Sequence, residues 1–229
     1  MSVKSWNESL PRYLDHTVLR PEATKADVLR RCAGGRAQGF VGIFVPPCYV
    51  DDALPALAGT DVQVGIPIGF PLGGHSTHAK VTEAMEAVAH GARVLDMVIN
   101  ISRLKSGDYD VVRNDMAAVV QATPGVNHKV ILETCLLTRE EKITACRLAV
   151  EAGMDYVKTS TGFNQAGATV EDVRLMKEAV AGRAKVKASG GIRDWKTTRE
   201  LLEAGADRIG TSASLKILSE WRAALVAVR

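Results

Sequence analysis

Two lysines stand near the ends of successive strand-like runs, Asp155-Tyr156-Val157-Lys158 and Ala184-Lys185-Val186-Lys187. A small, glycine-bearing turn follows each, Thr159-Ser160-Thr161-Gly162 and Ala188-Ser189-Gly190-Gly191. A buried cation is costly unless it is paired or neutralised. Two in equivalent places point to a lysine kept uncharged by its neighbour, the state a carbonyl-attacking amine requires. A free lysine titrates near 10.4, and lowering that to about 7 takes roughly 4 to 5 kcal/mol. A second ammonium about 5 Å away supplies roughly 3 kcal/mol at an effective dielectric near 20, but under about 1 kcal/mol in bulk water. Neighbouring charge is therefore enough only where the site is also partly desolvated. A third group joins them in Leu95-Asp96-Met97-Val98-Ile99-Asn100. Strand periodicity puts Asp96 and Asn100 on one face and Leu95, Met97 and Ile99 on the other, so Asp96 is expected to point away from the helices. Lys185 shares the face of Lys187 one step further back and is expected to be solvated or structural.

The elements that must hold these groups alternate strictly. Strand-like runs cover Tyr13–Leu19, Phe40–Val45, Val62–Phe70, Val94–Ile101, Lys129–Cys135, Asp155–Ser160, Ala184–Ala188 and Arg208–Thr211. Helix-like stretches lie between them at Thr24–Gln38, Val50–Ala58, His78–His90, Tyr109–Ala122, Thr138–Ala152, Val170–Ala181 and Lys196–Ala204, and a last one covers Ser214–Val228. Eight such units without a Pro/Gly/Ser-rich linker predict an α/β fold, a single (β/α)8 TIM barrel over residues 1–229 with a lead-in at 1–12. The competitor, an open doubly wound sheet, would want a glycine-rich phosphate turn after its first strand, and Leu14-Asp15-His16-Thr17 offers none. Helix ends recur as Gly39-Phe40, His90-Gly91-Ala92, Ala152-Gly153-Met154-Asp155 and Ala204-Gly205-Ala206-Asp207, where a left-handed glycine turns the chain back toward the sheet.

In a parallel barrel, function gathers at the C-terminal ends of the strands, and phosphate is often held by the loops after strands seven and eight. Ser189-Gly190-Gly191 and Gly210-Thr211-Ser212-Ala213-Ser214 occupy those places, with Arg193 and Lys196 close behind as solvated helix residues or anion contacts. His75 and His78 are spaced to share a helix face and offer a metal reading, but no third ligand stands at matching spacing. No cofactor or metal is expected. A net charge of +3 without a basic run, and 5% aromatics, speak against nucleic acid. The apolar share of 46% against 24% charged suits a soluble globular chain. Four scattered cysteines (Cys32, Cys48, Cys135, Cys146) read as reduced thiols. With no signal-like start and no run long enough to span a bilayer, a cytoplasmic location away from membranes is expected.

Taken together, Leu14-Asp15-His16-Thr17, Ile68-Gly69-Phe70-Pro71-Leu72-Gly73, Leu95 to Asn100, Val157-Lys158-Thr159-Ser160-Thr161-Gly162 and Val186 to Arg193 make the chain resemble the 2-deoxyribose-5-phosphate aldolases, class I aldolases of deoxynucleoside breakdown. The resemblance implies reversible cleavage of 2-deoxy-D-ribose 5-phosphate to D-glyceraldehyde 3-phosphate and acetaldehyde, without metal or organic cofactor. It implies that Lys158 forms the Schiff base, that Lys187 perturbs it, and that Asp96 moves protons through a bound water. Asp15 would hold Lys187, with Thr17 and Thr161 near the sugar hydroxyls. Gly162, Gly190, Gly191, Gly210 and Ser212 would contact the phosphate. The implied cleavage runs from an imine at C1, with the C3–C4 bond breaking once the C4 hydroxyl is deprotonated.

The chain departs from the family at Ile43-Phe44-Val45-Pro46-Pro47, where members often carry a cysteine in place of Phe44 and an asparagine in place of Pro46. An altered small-aldehyde pocket is expected. Ala213 and Ser214 also differ from the Ser-Gly often found there, and Val228-Arg229 carries no tyrosine-ended tail of the kind some members fold over the site. The alternatives are the same imine chemistry on another phosphosugar, a non-catalytic phosphosugar-binding barrel, and a metal lyase using His75 and His78. Phosphosugar and aldehyde substrates are the expected partners, together with a second copy of the chain in a homodimer.

Overall fold

A computed structural model describes residue 6 and residues 8–227 of the chain. Residues 1–5 and 7 of the expected lead-in, Val228 of the expected last helix, and the tail position Arg229 lie outside them. Eight strands form a closed barrel in chain order, each parallel to the next and the eighth paired with the first. They are β1 (Leu14–Thr17), β2 (Gly42–Phe44), β3 (Gln63–Ile68), β4 (Val94–Val98), β5 (Asn127–Ile131), β6 (Tyr156–Lys158), β7 (Lys185–Ser189) and β8 (Arg208–Thr211). The helices are α1 (Lys25–Gln38), α2 (Val50–Leu57), α3 (Thr77–Ala89), α4 (Ile101–Lys105), α5 (Tyr109–Ala122), α6 (Arg139–Glu151), α7 (Val170–Val180), α8 (Trp195–Glu203) and α9 (Ser214–Ala227). The barrel read from the alternation is the one that forms.

Local sequence explains where the helices start. Thr24 and Thr138 each close a capping box, with Asp27 and Glu141, and the side chains of Ser76, Thr169 and Asp194 also cap helix N-termini. Most of the strands are shorter than the sequence reading, above all at the C-terminal ends of β4 and β5. β4 stops at Val98 because the Asn100 side chain accepts the Arg103 N–H and opens the short helix α4. Asn100 is thus a helix cap and not an inward barrel residue. β5 stops at Ile131, and a 3-10 turn at Thr134–Leu136 takes the place of the expected strand end.

Leu95, Met97 and Ile99 are buried against the helices together with Val112, Met116 and Val119 of α5, so the apolar layer lies between barrel and helices. The inside of the barrel is different. Barrel interiors are usually filled by layers of branched aliphatic side chains. Here the buried residues include Asp15, Asp96, Lys129, Lys158 and Lys187, with Phe44 among them.

Candidate active site

Asp96 is the hinge of the interior. Its Oδ2 accepts hydrogen bonds from Lys158 Nζ at 2.7 Å and from Lys187 Nζ at 2.8 Å, so a single carboxylate oxygen ties the two amines together. The strand register makes this possible, since Lys158 of β6 stands directly beside Lys187 of β7. Lys187 Nζ is also 2.6 Å from Asp15 Oδ2. Arg208 reaches Asp15 at 3.5 Å and the Tyr156 hydroxyl at 3.3 Å. Lys129, beside Asp96 in the register, brings a further ammonium 3.8 Å from Asp96 Oδ1.

Four basic groups (Lys129, Lys158, Lys187, Arg208) thus share two carboxylates, all of them buried or half-buried. Burial alone would raise the Asp96 carboxyl, but Lys158, Lys187 and Lys129 outweigh it and hold Asp96 well below the usual carboxylate range. Asp15 is lowered in the same way, burial being overcome by Lys187 and Arg208. Lys158 and Lys129 move the other way. Burial pushes Lys158 down, Asp96 opposes, and Lys187 adds to the fall. Lys129 is pushed down to about 8, again chiefly by burial. With more cations than carboxylates in a dry interior, shedding a lysine proton is the cheapest relief. That direction favours the free-amine form, the one able to attack a carbonyl.

Phe44 sits inside this cluster. Its ring centroid is 3.8 Å from Lys187 Nζ, 5.6 Å from Lys129 and 5.7 Å from Lys158. A ring face near an ammonium is favourable by roughly 0.5–2 kcal/mol. Gly65 makes the room, because a Cβ there would come within 2.5 Å of the ring. Phe44 therefore acts on the amines themselves, while Pro46 is half-buried in the turn after β2. Thr17 is half-buried at the C-terminal end of β1, beside Phe44 in the register.

The glycine-rich turns meet at a cavity of about 150 Å³ lined by Gly162, Gly190, Gly191, Ile192, Arg193, Gly210, Thr211 and Ser212. α9 starts two residues past Ser212. Gly190 has φ +88 and comes so close to Gly167 that a side chain on either would collide with the other's backbone. Gly210 has a second task, since a Cβ there would lie 2.9 Å from Lys187 Cε. Arg193 lines this cavity; Lys196 is exposed and does not. Thr161 is buried, its backbone N–H and hydroxyl both donated to Glu133. Lys185 is exposed, with its ammonium over the Tyr156 ring.

His75 precedes the cap residue Ser76 and only His78 is helical, so the two histidines share no helix face. Among the described residues no group of three His, Cys, Asp or Glu side chains is placed to hold a metal. No described helix is long and apolar enough to cross a membrane.

Sequence reasoning missed Lys129, Arg208 and Tyr156. Lys129 and Arg208 open their apolar runs, where a charge ordinarily marks the solvated strand end. Only the register, with Lys129 opposite Asp96, shows that Lys129 is interior.

Comparison with known proteins gives a consistent picture. The family model described as DeoC/LacD family aldolase matches residues 13–220. A deoxyribose-phosphate aldolase of Thermoanaerobacter sp. is 51% identical over 216 residues, covering 93% of this chain and 97% of that protein. One from Brevibacillus brevis is 50% identical over 211 residues, covering 92% and 96%. Among solved structures, the tetrameric deoxyribose phosphate aldolase of Aeropyrum pernix superposes with a TM-score of 0.89 at 31% identity, covering 95% of this chain and 93% of that one.

Proposed function

The chain belongs to the DeoC/LacD aldolase family, and from that premise we propose that Lys158 is its Schiff-base lysine, with Lys187 and Asp96 as the groups that ready it. The protein is a lyase that reversibly cleaves 2-deoxy-D-ribose 5-phosphate to D-glyceraldehyde 3-phosphate and acetaldehyde. The observation that carries the assignment of roles is the single Asp96 oxygen shared by two buried lysine amines at 2.7 and 2.8 Å.

In the cleavage direction, neutral Lys158 attacks C1 of the open-chain sugar, and loss of water leaves a protonated imine. Carbon counting corrects the bond expected from the sequence. Acetaldehyde takes C1 and C2, so the C2–C3 bond breaks and the proton lost is that of the C3 hydroxyl. Asp96 accepts that proton, directly or through water, while the imine takes up the bonding electrons as an enamine. Protonation at C2 and hydrolysis then release acetaldehyde and regenerate Lys158. Lys187, held 2.6 Å from Asp15, adds to the lowering of Lys158 and so favours its free amine. Thr17 and Thr161 face the sugar hydroxyls. The 5-phosphate occupies the cavity of Gly162, Gly190, Gly191, Gly210 and Ser212, bound mostly by backbone N–H groups, with Arg193 at its rim.

The chain works as a homo-oligomer, a dimer being the smallest assembly; light scattering on the purified protein decides this. Its place would be cytoplasmic sugar-phosphate breakdown, in keeping with the deoxyribose-phosphate aldolases it resembles. The test of the function is turnover of 2-deoxyribose 5-phosphate in the presence of a chelator. Sustained release of glyceraldehyde 3-phosphate is expected. Activity confined to another phosphosugar, or abolished by the chelator, would displace this reading.

A further inference from the structure

Glu133 is fully buried just beyond β5, yet no ion pair among the described residues involves it. Its backbone is left-handed, with φ 57° and ψ 62°. A glycine takes that conformation freely, whereas a long side chain takes it against a steric cost and persists only where its surroundings hold it there. At this buried position the contacts of the side chain itself are what can hold the backbone there. The carboxylate accepts from Thr161 N at 3.3 and 3.4 Å, from the Thr161 hydroxyl, and from Asn164 Nδ2 at 3.4 Å.

These partners belong to the loop that leaves Lys158. On its β7 side that loop is tied by neutral bonds, Thr159 Oγ1 to Ser189 O at 3.0 Å and Ala168 N to Gly190 O at 3.1 Å. On its β5 side, the backbone bond from Thr134 N to Thr159 O is followed only by the Glu133 carboxylate. The Thr161 hydroxyl is fixed by this arrangement. It donates to Glu133 and accepts from Phe163 N at 3.0 Å, so its remaining lone pair can only accept.

We propose that Glu133 is a positioning residue that presents Thr161 to the substrate as a hydrogen-bond acceptor and holds Gly162 against the phosphate. A hydroxyl that donates is then recognised at the sugar carbon facing Thr161, and a group that only accepts is rejected. The inference rests on the reading of the site as one for 2-deoxyribose 5-phosphate.

The experiment compares wild type, Glu133→Gly and Glu133→Gln. Glu133→Gly frees the backbone and removes the anchor; Glu133→Gln keeps an acceptor oxygen. Each is measured for melting temperature, inorganic phosphate affinity, and kcat/KM with 2-deoxyribose 5-phosphate and with unphosphorylated 2-deoxyribose. Glu133→Gly is expected to melt close to wild type, to bind phosphate at least about tenfold more weakly, and to lose on the order of 100-fold in kcat/KM for the phosphorylated sugar, more than for the unphosphorylated one. Glu133→Gln is expected to recover to within about tenfold of wild type. Should the glycine variant fail to fold, Glu133→Asn replaces it, since asparagine tolerates the left-handed backbone and is a methylene shorter. Unchanged phosphate affinity in Glu133→Gly, equal losses on both sugars, or a glutamine variant no better than glycine would overturn the proposal. If wild type ignores deoxyribose 5-phosphate, the functional reading fails, while the phosphate titration still decides the role of Glu133.

Discussion

The protein buries lysines in two places, and the two are built on opposite principles. Between α3 and α5, Lys80 is fully buried and pairs one-to-one with Asp115 at 2.6 Å, donating also to Val98 O at 3.0 Å. The other Asp115 oxygen takes the Thr77 hydroxyl at 2.8 Å. Charge is balanced there and the donors and acceptors have partners, so the pair ties helix to helix and to the end of β4. Inside the barrel, four basic groups lean on two carboxylates, and Asp96 Oδ2 is shared by two amines. Burial lowers Lys80 as it lowers Lys158, but Lys80 faces only opposing charge from Asp115 and Glu83, whereas Lys158 also faces Lys187. Burial alone does not make a reactive lysine. Burial is the largest cause at both, and only Lys158 has a like charge beside it to add to the fall.

The sharpest way to break this contrast is to remove the amine. Lys158→Met should cost at least about 10⁴ in kcat with the fold intact, since a nucleophile has no substitute. A residual rate within tenfold of wild type would move the imine elsewhere. Asp96→Asn should cost on the order of 10² to 10⁴ in kcat, as expected for loss of a proton acceptor. It should also lower the melting temperature, because the basic groups it served are left in a dry interior without it.

The helix pair should answer differently. Lys80→Met strands Asp115 and should destabilise by about 3–5 kcal/mol in denaturant titration, while kcat of the folded fraction stays within a few-fold. Adding Asp115→Leu should restore most of that stability. A loss of kcat as large as that of Asp96→Asn would erase the distinction.

The smallest effect is in pH. Lys129 is lowered to about 8 in the folded state. Between about pH 8 and 10.4 the unfolded lysine keeps its proton while the folded one sheds it, so this group adds stability as pH rises. Wild type should therefore gain on Lys129→Met by up to about 3 kcal/mol from pH 7 to pH 10.5. A constant gap across that range would show Lys129 to be unperturbed.

Much of this organisation was readable in advance, and the reasons are local. Strict alternation and glycine helix ends reveal a barrel because both are written in neighbouring residues. Lys158 and Lys187 stood out because each falls near the C-terminal end of an apolar run, and Asp96 because it interrupts one. Lys129 and Arg208 did not, since they open their runs and only the pairing of β5 with β4, and of β8 with β7, sets them beside Asp96 and Lys187. Asn100 misled because it kept the strand period past the point where it caps α4. Lys80 reads as one more charge on an amphipathic helix, and its partner lies 35 residues away. Glu133 is hidden for another reason: its left-handed backbone has no sequence signature in a non-glycine residue.

The most direct test of the difference between the two buried lysine sites is to incubate the protein with 2-deoxyribose 5-phosphate at neutral pH, reduce with borohydride, and map the modified lysine by peptide mass spectrometry. The account predicts a two-carbon or sugar adduct on Lys158 alone, lost in Lys158→Met, with Lys80, Lys129 and Lys187 unmodified. An adduct on Lys187, Lys129 or Lys80, or none on a folded protein that turns the sugar over, would contradict it.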